Sequence, residues 1–424
     1  MTLLALVVLP AALLVMGVPI FIVLMTATLG GILLGINPVQ AIHSAMFGSL
    51  DIFPLLAVPL FIYAGDIMAR GGIARRLIEL ILALVGGVRG SLGLATIAAC
   101  GVFGVMSGSS VACVAAIGKL TIPSLKKNGY GDRFSVSLVT ATGVIDVIIP
   151  PSIPMIIYGI AAQQSVSLLF LAGFVPGILI GVALGIYVYI YARKKGIPIT
   201  ERPDSKTIRT LLKSSTWAIL APVVILGGIY GGLFTPTEAA GVACIYAIVI
   251  SMFVYREISW RDLWAITIES AALSAQVLVI VSAAGAFGWL ITTSGYPAQL
   301  IALVSGLKLE VWMLLLVINV ILLFVGSVLE PPAAILLLTP LLTPVAYAAG
   351  VDPIHFGIIV TVNLAIGLFM PPFGLNLFAA NALFKTPLPE LYRGVMPFFF
   401  IYLAMLMLIT YVPAITLAPL KLFR

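Results

Sequence analysis

Charge is scarce in this 424-residue chain: Asp, Glu, Lys and Arg together supply 9% of it, where soluble domains carry about 25%. Hydrophobic residues supply 62%. So little charge excludes a water-exposed surface of ordinary extent, and lipid is the expected solvent. Histidine is nearly absent: His43 and His355 are too few and too far apart for a metal cluster. The three cysteines, Cys100, Cys113 and Cys244, lie in apolar stretches, and an odd number of buried thiols gives neither a disulfide framework nor a metal spacing. Few histidines also argue against a membrane-embedded enzyme, which needs a nucleophile–base pair or a metal. Long polar runs are missing too. The longest, residues 193–213, is too short to fold alone, so no soluble catalytic or nucleotide-binding domain is expected. The phosphate-cradling Walker pattern is absent, which argues against an ATP-driven pump. The first 34 residues lack a basic leader and form too long an apolar run for a signal peptide. That run, broken at Gly17 and Pro19, predicts one tilted helix or two short ones.

The net charge of +7 does not point to nucleic acid. Its basic residues stand between apolar spans, where they set topology. Arg193, Lys194, Lys195, Arg202, Lys206, Arg209 and Lys213 place one loop in the cytoplasm. The spacing predicts an all-α polytopic membrane protein, with crossings near 52–68, 168–192, 216–230, 239–255, 264–291 and 397–419.

What the chain does have is a repeat of punctuation. Pro123, Gly129, Thr140, Pro150, Pro151, Gly173 and Pro176 are answered by Pro344, Gly350, Thr361, Pro371, Pro372, Gly394 and Pro397, each at an offset of 221 residues. Gly108-Ser109 is answered by Gly326-Ser327. A double proline inside an apolar segment breaks a membrane helix. Broken helices in corresponding halves point to a secondary transporter with its site at mid-membrane. The reading that follows is a re-entrant hairpin at 90–128 and a broken helix at 134–161 in a first unit, 51–195. A hairpin at 311–345 and a broken helix at 356–383 form a second unit, 264–424. Residues 1–50 are an N-terminal scaffold region, and 196–263 hold the cytoplasmic loop and two linking helices. Each half of the first hairpin is expected to be too short to cross comfortably. Counting crossings from the basic loops inverts the second unit relative to the first. The two hairpin tips, 107–110 and 326–330, are expected to face each other.

Helix breaks release backbone groups that need partners. Half-helix N-termini carry partial positive charge and suit an anionic substrate, whereas carbonyls and hydroxyls suit sodium. Ser107, Ser109, Ser110, Gly326, Ser327, Asn363 and Asn376 offer such oxygens, and the bland alternative for a Gly-Ser pair is helix packing. Two acidic residues lie deep, and each has two readings. Asp146 either caps amides freed by the break or stays protonated, on the one reading, or faces an ion, on the other. Glu330 either caps the half-helix that starts at Pro331 or meets the substrate.

Long, ordered motifs carry a resemblance. Ala57-Val58-Pro59-Leu60-Phe61-Ile62, Ser107-Gly108-Ser109, Ile149-Pro150-Pro151-Ser152-Ile153-Pro154, Phe234-Thr235-Pro236-Thr237-Glu238-Ala239-Ala240 and Pro371-Pro372-Phe373-Gly374-Leu375-Asn376-Leu377-Phe378 closely resemble the large membrane subunit of the tripartite ATP-independent periplasmic (TRAP) transporters. The resemblance implies an elevator-type sodium-coupled importer of organic acids in the bacterial inner membrane. It implies as partners a small four-helix membrane subunit and a soluble periplasmic substrate-binding protein. It implies no cofactor beyond sodium as coupling ion. Carried onto this chain, the sodium sites involve Ser107, Ser109, Ser110, Gly143, Asp146, Ile149 and Pro150 at the first tip and break, and Gly326, Ser327, Gly367 and Met370 at the second. Substrate contacts involve Ser110, Pro151, Ser152, Glu330, Pro331, Pro372 and Asn376. Two positions depart from the family habit: Asp146 stands where a small residue is usual, and Met370 where threonine is common. The runner-up, a stand-alone sodium/dicarboxylate symporter, shares paired hairpins but typically carries Ser-Asn-Thr at both tips, which this chain lacks. A channel fits less well, because two inverted gates suit alternating access better than a continuous pore.

Overall fold

The computed structural model describes residues 9–33, 40–199 and 203–421. The predicted reading of residues 3–8 and 34–39, and the place of Arg202 in the basic loop, lie outside them. Among the described residues every regular element is helical. Among the described residues, eight helices are long and apolar enough to cross a membrane.

The N-terminal run divides at Gly17–Pro19 into α1 (Leu9–Val15) and α2 (Ile20–Leu33), followed by α3 (Gln40–Leu50). Gly17 takes a positive φ of 79°, which a glycine adopts without a Cβ penalty. The first unit then runs α4 (Ala57–Arg70), α5 (Ile73–Leu84), α6 (Ser91–Ser107), α7 (Ser110–Lys127), α8 (Asp132–Thr142), a 3₁₀ turn (Gly143–Val147), α9 (Ile153–Ala161) and α10 (Val166–Lys194). Two linking helices follow, α11 (Ser205–Tyr230) and α12 (Pro236–Val249), the latter extended by a π turn over Ile250–Val254. The second unit repeats the order: α13 (Trp260–Thr293), α14 (Tyr296–Gly306), α15 (Val311–Val328), α16 (Pro331–Ala348), α17 (Pro353–Gly367), α18 (Leu375–Phe384) and α19 (Leu388–Tyr411), with α20 (Ala414–Lys421) at the end.

The element order gives each unit a long helix, a short connecting helix, a packed helix pair, a broken helix and a second long helix. The packing is reciprocal. α7 lies against α18 and its counterpart α16 against α9; α8 lies against α19 and its counterpart α17 against α10. Exchange of this kind is what a pseudo-two-fold between repeats produces. One apolar core runs through both units. The remaining long helices, α4, α11, α12 and α13, pack largely on one another and on α2, α3 and α5, with α2 and α3 meeting the second half of α13 near Val281, Gly285 and Leu290.

Several boundaries differ from the sequence reading. α11 begins at Ser205 rather than 216, because the Asp204 carboxylate accepts the Thr207 amide and caps a helix that includes Lys206, Arg209 and Lys213. α13 begins at Trp260 through a Ser259–Asp262 capping box. α19 begins at Leu388 with Pro397 inside it, and Val412–Pro413 splits off α20. At 18 residues each, α15 and α16 reach about 27 Å, close to the ~30 Å hydrocarbon core.

Candidate functional site

Both Pro-Pro bonds, Pro150-Pro151 and Pro371-Pro372, are cis, in matching places. In the first break the α-helix tightens to 3₁₀ at Gly143, and the chain turns through Ile148–Ser152 before α9. Ser152 bridges this gap. Its hydroxyl donates to the Val147 carbonyl (2.5 Å) and accepts the Met155 amide, capping α9. Its side chain is therefore spent on the break itself. In the second break, residues 368–374 close with Gly374 N–H donating to the Met370 carbonyl (2.9 Å) and Asn376 N–H to the Leu368 carbonyl (2.8 Å). Pro150 and Pro151 are buried, whereas Pro372 is exposed. The two breaks are thus alike in construction and unequal in access.

The first tip turns on Gly108, whose positive φ of 61° favours glycine, and Ser109 opens α7 in extended conformation. Ser109 N–H reaches Ser107 Oγ at 3.3 Å. Ser110 Oγ donates to Asn376 Oδ1 at 2.9 Å, and Asn376 Nδ2 donates to the Thr140 carbonyl at 3.3 Å. Ser110 and Asn376 are both buried. First tip, first broken helix and second break therefore meet through two side chains that the sequence nominated separately. Gly143 lies against Val114 and the Ser110 carbonyl.

The second tip turns through Leu329 in extended conformation, with Glu330 at the N-cap of α16. Glu330 makes no capping bond, so the capping reading is not realised by its side chain. It is exposed and borders a crevice of ≈ 650 Å³ shared with Gln276, Phe21 and Val328. Ser327 Oγ donates to the Phe324 carbonyl, leaving its lone pairs free. Gly326 and Gly367 are in backbone contact: a Cβ on Gly367 would stand 2.2 Å from the Gly326 carbonyl carbon. Each tip thus closes on a broken helix, the first through Ser110–Asn376 and the second through Gly326–Gly367. The first tip also backs onto α4, where Gly65 lies against Met106 and Ser107.

Asp146 sits in the 3₁₀ turn at zero exposure, and neither carboxylate oxygen makes a hydrogen bond. The Gly108 and Ser109 amides face it without reaching hydrogen-bond geometry. Gly104 gives it room, since a Cβ there would lie 2.7 Å from the Asp146 Cα and 3.0 Å from Oδ1.

Sequence reasoning missed several partners. Tyr392 Oη donates to the Pro372 carbonyl (3.0 Å) and Tyr402 Oη to the Ala141 carbonyl (2.9 Å), tying α19 to both broken helices. Asn363 Nδ2 donates to Asn319 Oδ1 (2.7 Å), and Asn319 Nδ2 donates to Thr410 Oγ1 (3.1 Å). Asn319 was the one legible signal, as an amide within an otherwise apolar run.

Comparison with known proteins gives one consistent result. The family profile described as "Tripartite ATP-independent periplasmic transporter, DctM component" matches residues 6–415. The isethionate TRAP transporter permease protein DctMQ of Oleidesulfovibrio alaskensis is 44% identical over 96% of this chain, and the chain spans 64% of that relative's length. The C4-dicarboxylate TRAP transporter large permease protein DctM of Pseudomonas aeruginosa is 41% identical, with 90% of each chain covered. The ectoine/5-hydroxyectoine TRAP transporter large permease protein UehC of Ruegeria pomeroyi is 38% identical over 96% of this chain and 95% of its own. Among solved structures, the Alcanivorax borkumensis YdaH transporter, described as having an unusual topology, superposes with a TM-score of 0.64 at 15% identity over 88% of each chain. That likeness is one of fold.

Proposed function

The chain belongs to the DctM family of tripartite ATP-independent periplasmic transporters, as a multi-pass large permease subunit, and from that premise we propose that it imports an organic acid with sodium by an elevator movement. The observation that carries the reading is the reciprocal packing of the two helix pairs and the two broken helices. That packing lets them travel as one body against α4, α11 and α12. The helix pairs enter and leave the membrane from one side in this reading.

Sodium is a hard cation and takes oxygen ligands. Hydroxyls of Ser107, Ser109 and Ser110 with carbonyls of Gly143, Ile149 and Pro150 would serve it at the first tip. Gly326, Ser327, Gly367 and Met370 would serve it at the second. The donor chemistry fits: a hydroxyl that spends its proton on a neighbour, as Ser110 and Ser327 do, keeps lone pairs for a cation. The substrate carboxylate meets the positive ends of α7, α9, α16 and α18. Asn376 orients it, Pro151, Pro331 and Pro372 shape the space around it, and Ser152 holds the first break in place. Glu330 and Gln276 face the crevice beside the second tip. Relatives named for isethionate, C4-dicarboxylates and ectoine support small polar organic acids as the class. Delivery comes from a soluble periplasmic substrate-binding protein, and a small membrane subunit completes the assembly.

Reconstitution tests the division of labour. Vesicles holding this chain and the small subunit are expected to take up substrate only when the soluble receptor is added. Robust uptake by this chain alone would replace the reading with a stand-alone symporter.

A further inference from the structure

Asp146 is the buried group that the oxygen ligands just named do not use. It is fully enclosed, and both its oxygens are without partners. The 3₁₀ turn that holds it is packed by α6, α7, α8, α10 and α17. The titratable side chains facing it from these elements are Cys113 on α7 and, beside that thiol, Cys100 on α6. The basic residues Lys119, Lys126, Lys127, Arg133, Arg193 and Lys194 on the same elements are exposed or half-exposed. Among the described residues, the ion pairs are Arg70–Glu269, Arg75 and Arg76 with Glu257, and Lys126–Asp132. No side-chain cation therefore neutralises Asp146, and a buried carboxylate without a counter-charge is strongly disfavoured.

The second unit solves the same position differently. There Gly367 answers Asp146, and the tip backbone at Gly326 closes onto it with no room for a side chain. At the first tip the hairpin also comes close, but at Gly104, which leaves room for the Asp146 side chain, and the carboxylate lies facing the Gly108 and Ser109 amides. One site thus contains an ionisable carboxyl group and the other only neutral dipoles. We propose that Asp146 is a direct cation ligand that makes the two sites unequal: the first holds sodium in the substrate-free protein, while the second fills only when an anionic substrate adds its charge. The inference rests on the sodium-coupled reading above and extends it to the order of binding.

The test is equilibrium binding of radioactive sodium to the purified permease with its small subunit, without substrate, at fixed pH and with choline balancing ionic strength. The wild type is expected to show saturable binding that potassium does not displace. Asp146→Asn, which keeps the shape and removes the charge, is expected to raise half-saturating sodium at least roughly tenfold. Asp146→Gly, which copies the second unit, is expected to do the same. Wild-type affinity in Asp146→Asn overturns the proposal and leaves the carboxylate as a cap for the Gly108 and Ser109 amides. Absence of substrate-free sodium binding in the wild type also overturns it, whatever the variants do. Uptake measured in parallel separates the two claims. If uptake needs sodium, only the role of Asp146 has failed; if it does not, the sodium-coupled reading has failed as well.

Discussion

A methyl group on residue 367 would stand 2.2 Å from the Gly326 carbonyl carbon, well inside the ~3.5–4.0 Å at which non-bonded carbons rest. The obstacle is backbone, so no rotamer change relieves it. Gly367→Ala is therefore expected to push the second tip off its broken helix, at a cost of about 1–3 kcal/mol, and to lower uptake by more than about tenfold. Gly227→Ala is the matched control: it lies within α11 and a Cβ there meets nothing within 4 Å, so stability should stay within about 0.5 kcal/mol. Thermal unfolding in detergent and uptake by the reconstituted assembly check both. Equal behaviour of the two variants would mean that Gly326 and Gly367 are ordinary helix-packing glycines. Ser110 and Asn376 present the opposite case, in which the chemistry lies in the side chains. Each was legible alone as an oxygen near a break. Their pairing was not, because 266 residues separate them and no periodicity connects a tip in one unit to a break in the other.

The helices show how far a pattern of apolar runs reaches. The proline register located both broken helices: 134–161 against Asp132–Ala161, and 356–383 against Pro353–Phe384. The residual error lies at polar starts, where the stabilising group falls outside the apolar run. The Asp352 carboxylate accepts the Ile354 and His355 amides and so begins α17 before its apolar stretch. α5 escaped notice for a related reason. α5 carries Arg75, Arg76 and Glu79 on its polar side, and an amphipathic helix does not register as a span. Links made by tyrosine were illegible as well, since Tyr402 reads as one more apolar residue of α19. Its hydroxyl joins α19 to α8 at the Ala141 carbonyl, with both groups buried. Tyr402→Phe should lower the stability of the purified permease by about 0.5–1.5 kcal/mol, seen as a lower unfolding temperature. An unchanged temperature would assign the α8–α19 contact to ring packing alone.

At the scale of the molecule, the interlocked pairs and broken helices form one unit of packing and the long helices around α4, α11 and α12 another. That division is what an elevator needs: a site on the moving part and a frame that stays. It also explains why the tips do not have to touch each other. Each packs on a broken helix, the first through Ser110–Asn376 and the second through Gly326–Gly367. Composition foresaw the solvent, and the repeat foresaw the paired units. The unequal access of the two breaks was not foreseen, because buried Pro151 and exposed Pro372 occupy identical places in the register. The measurement that tests the central claim most directly is uptake by the complete reconstituted assembly under an imposed sodium gradient, without ATP, with choline replacing sodium in the control. The account predicts accumulation that follows the inward sodium gradient and disappears in choline. Undiminished accumulation in choline, with a pH gradient intact, would contradict it.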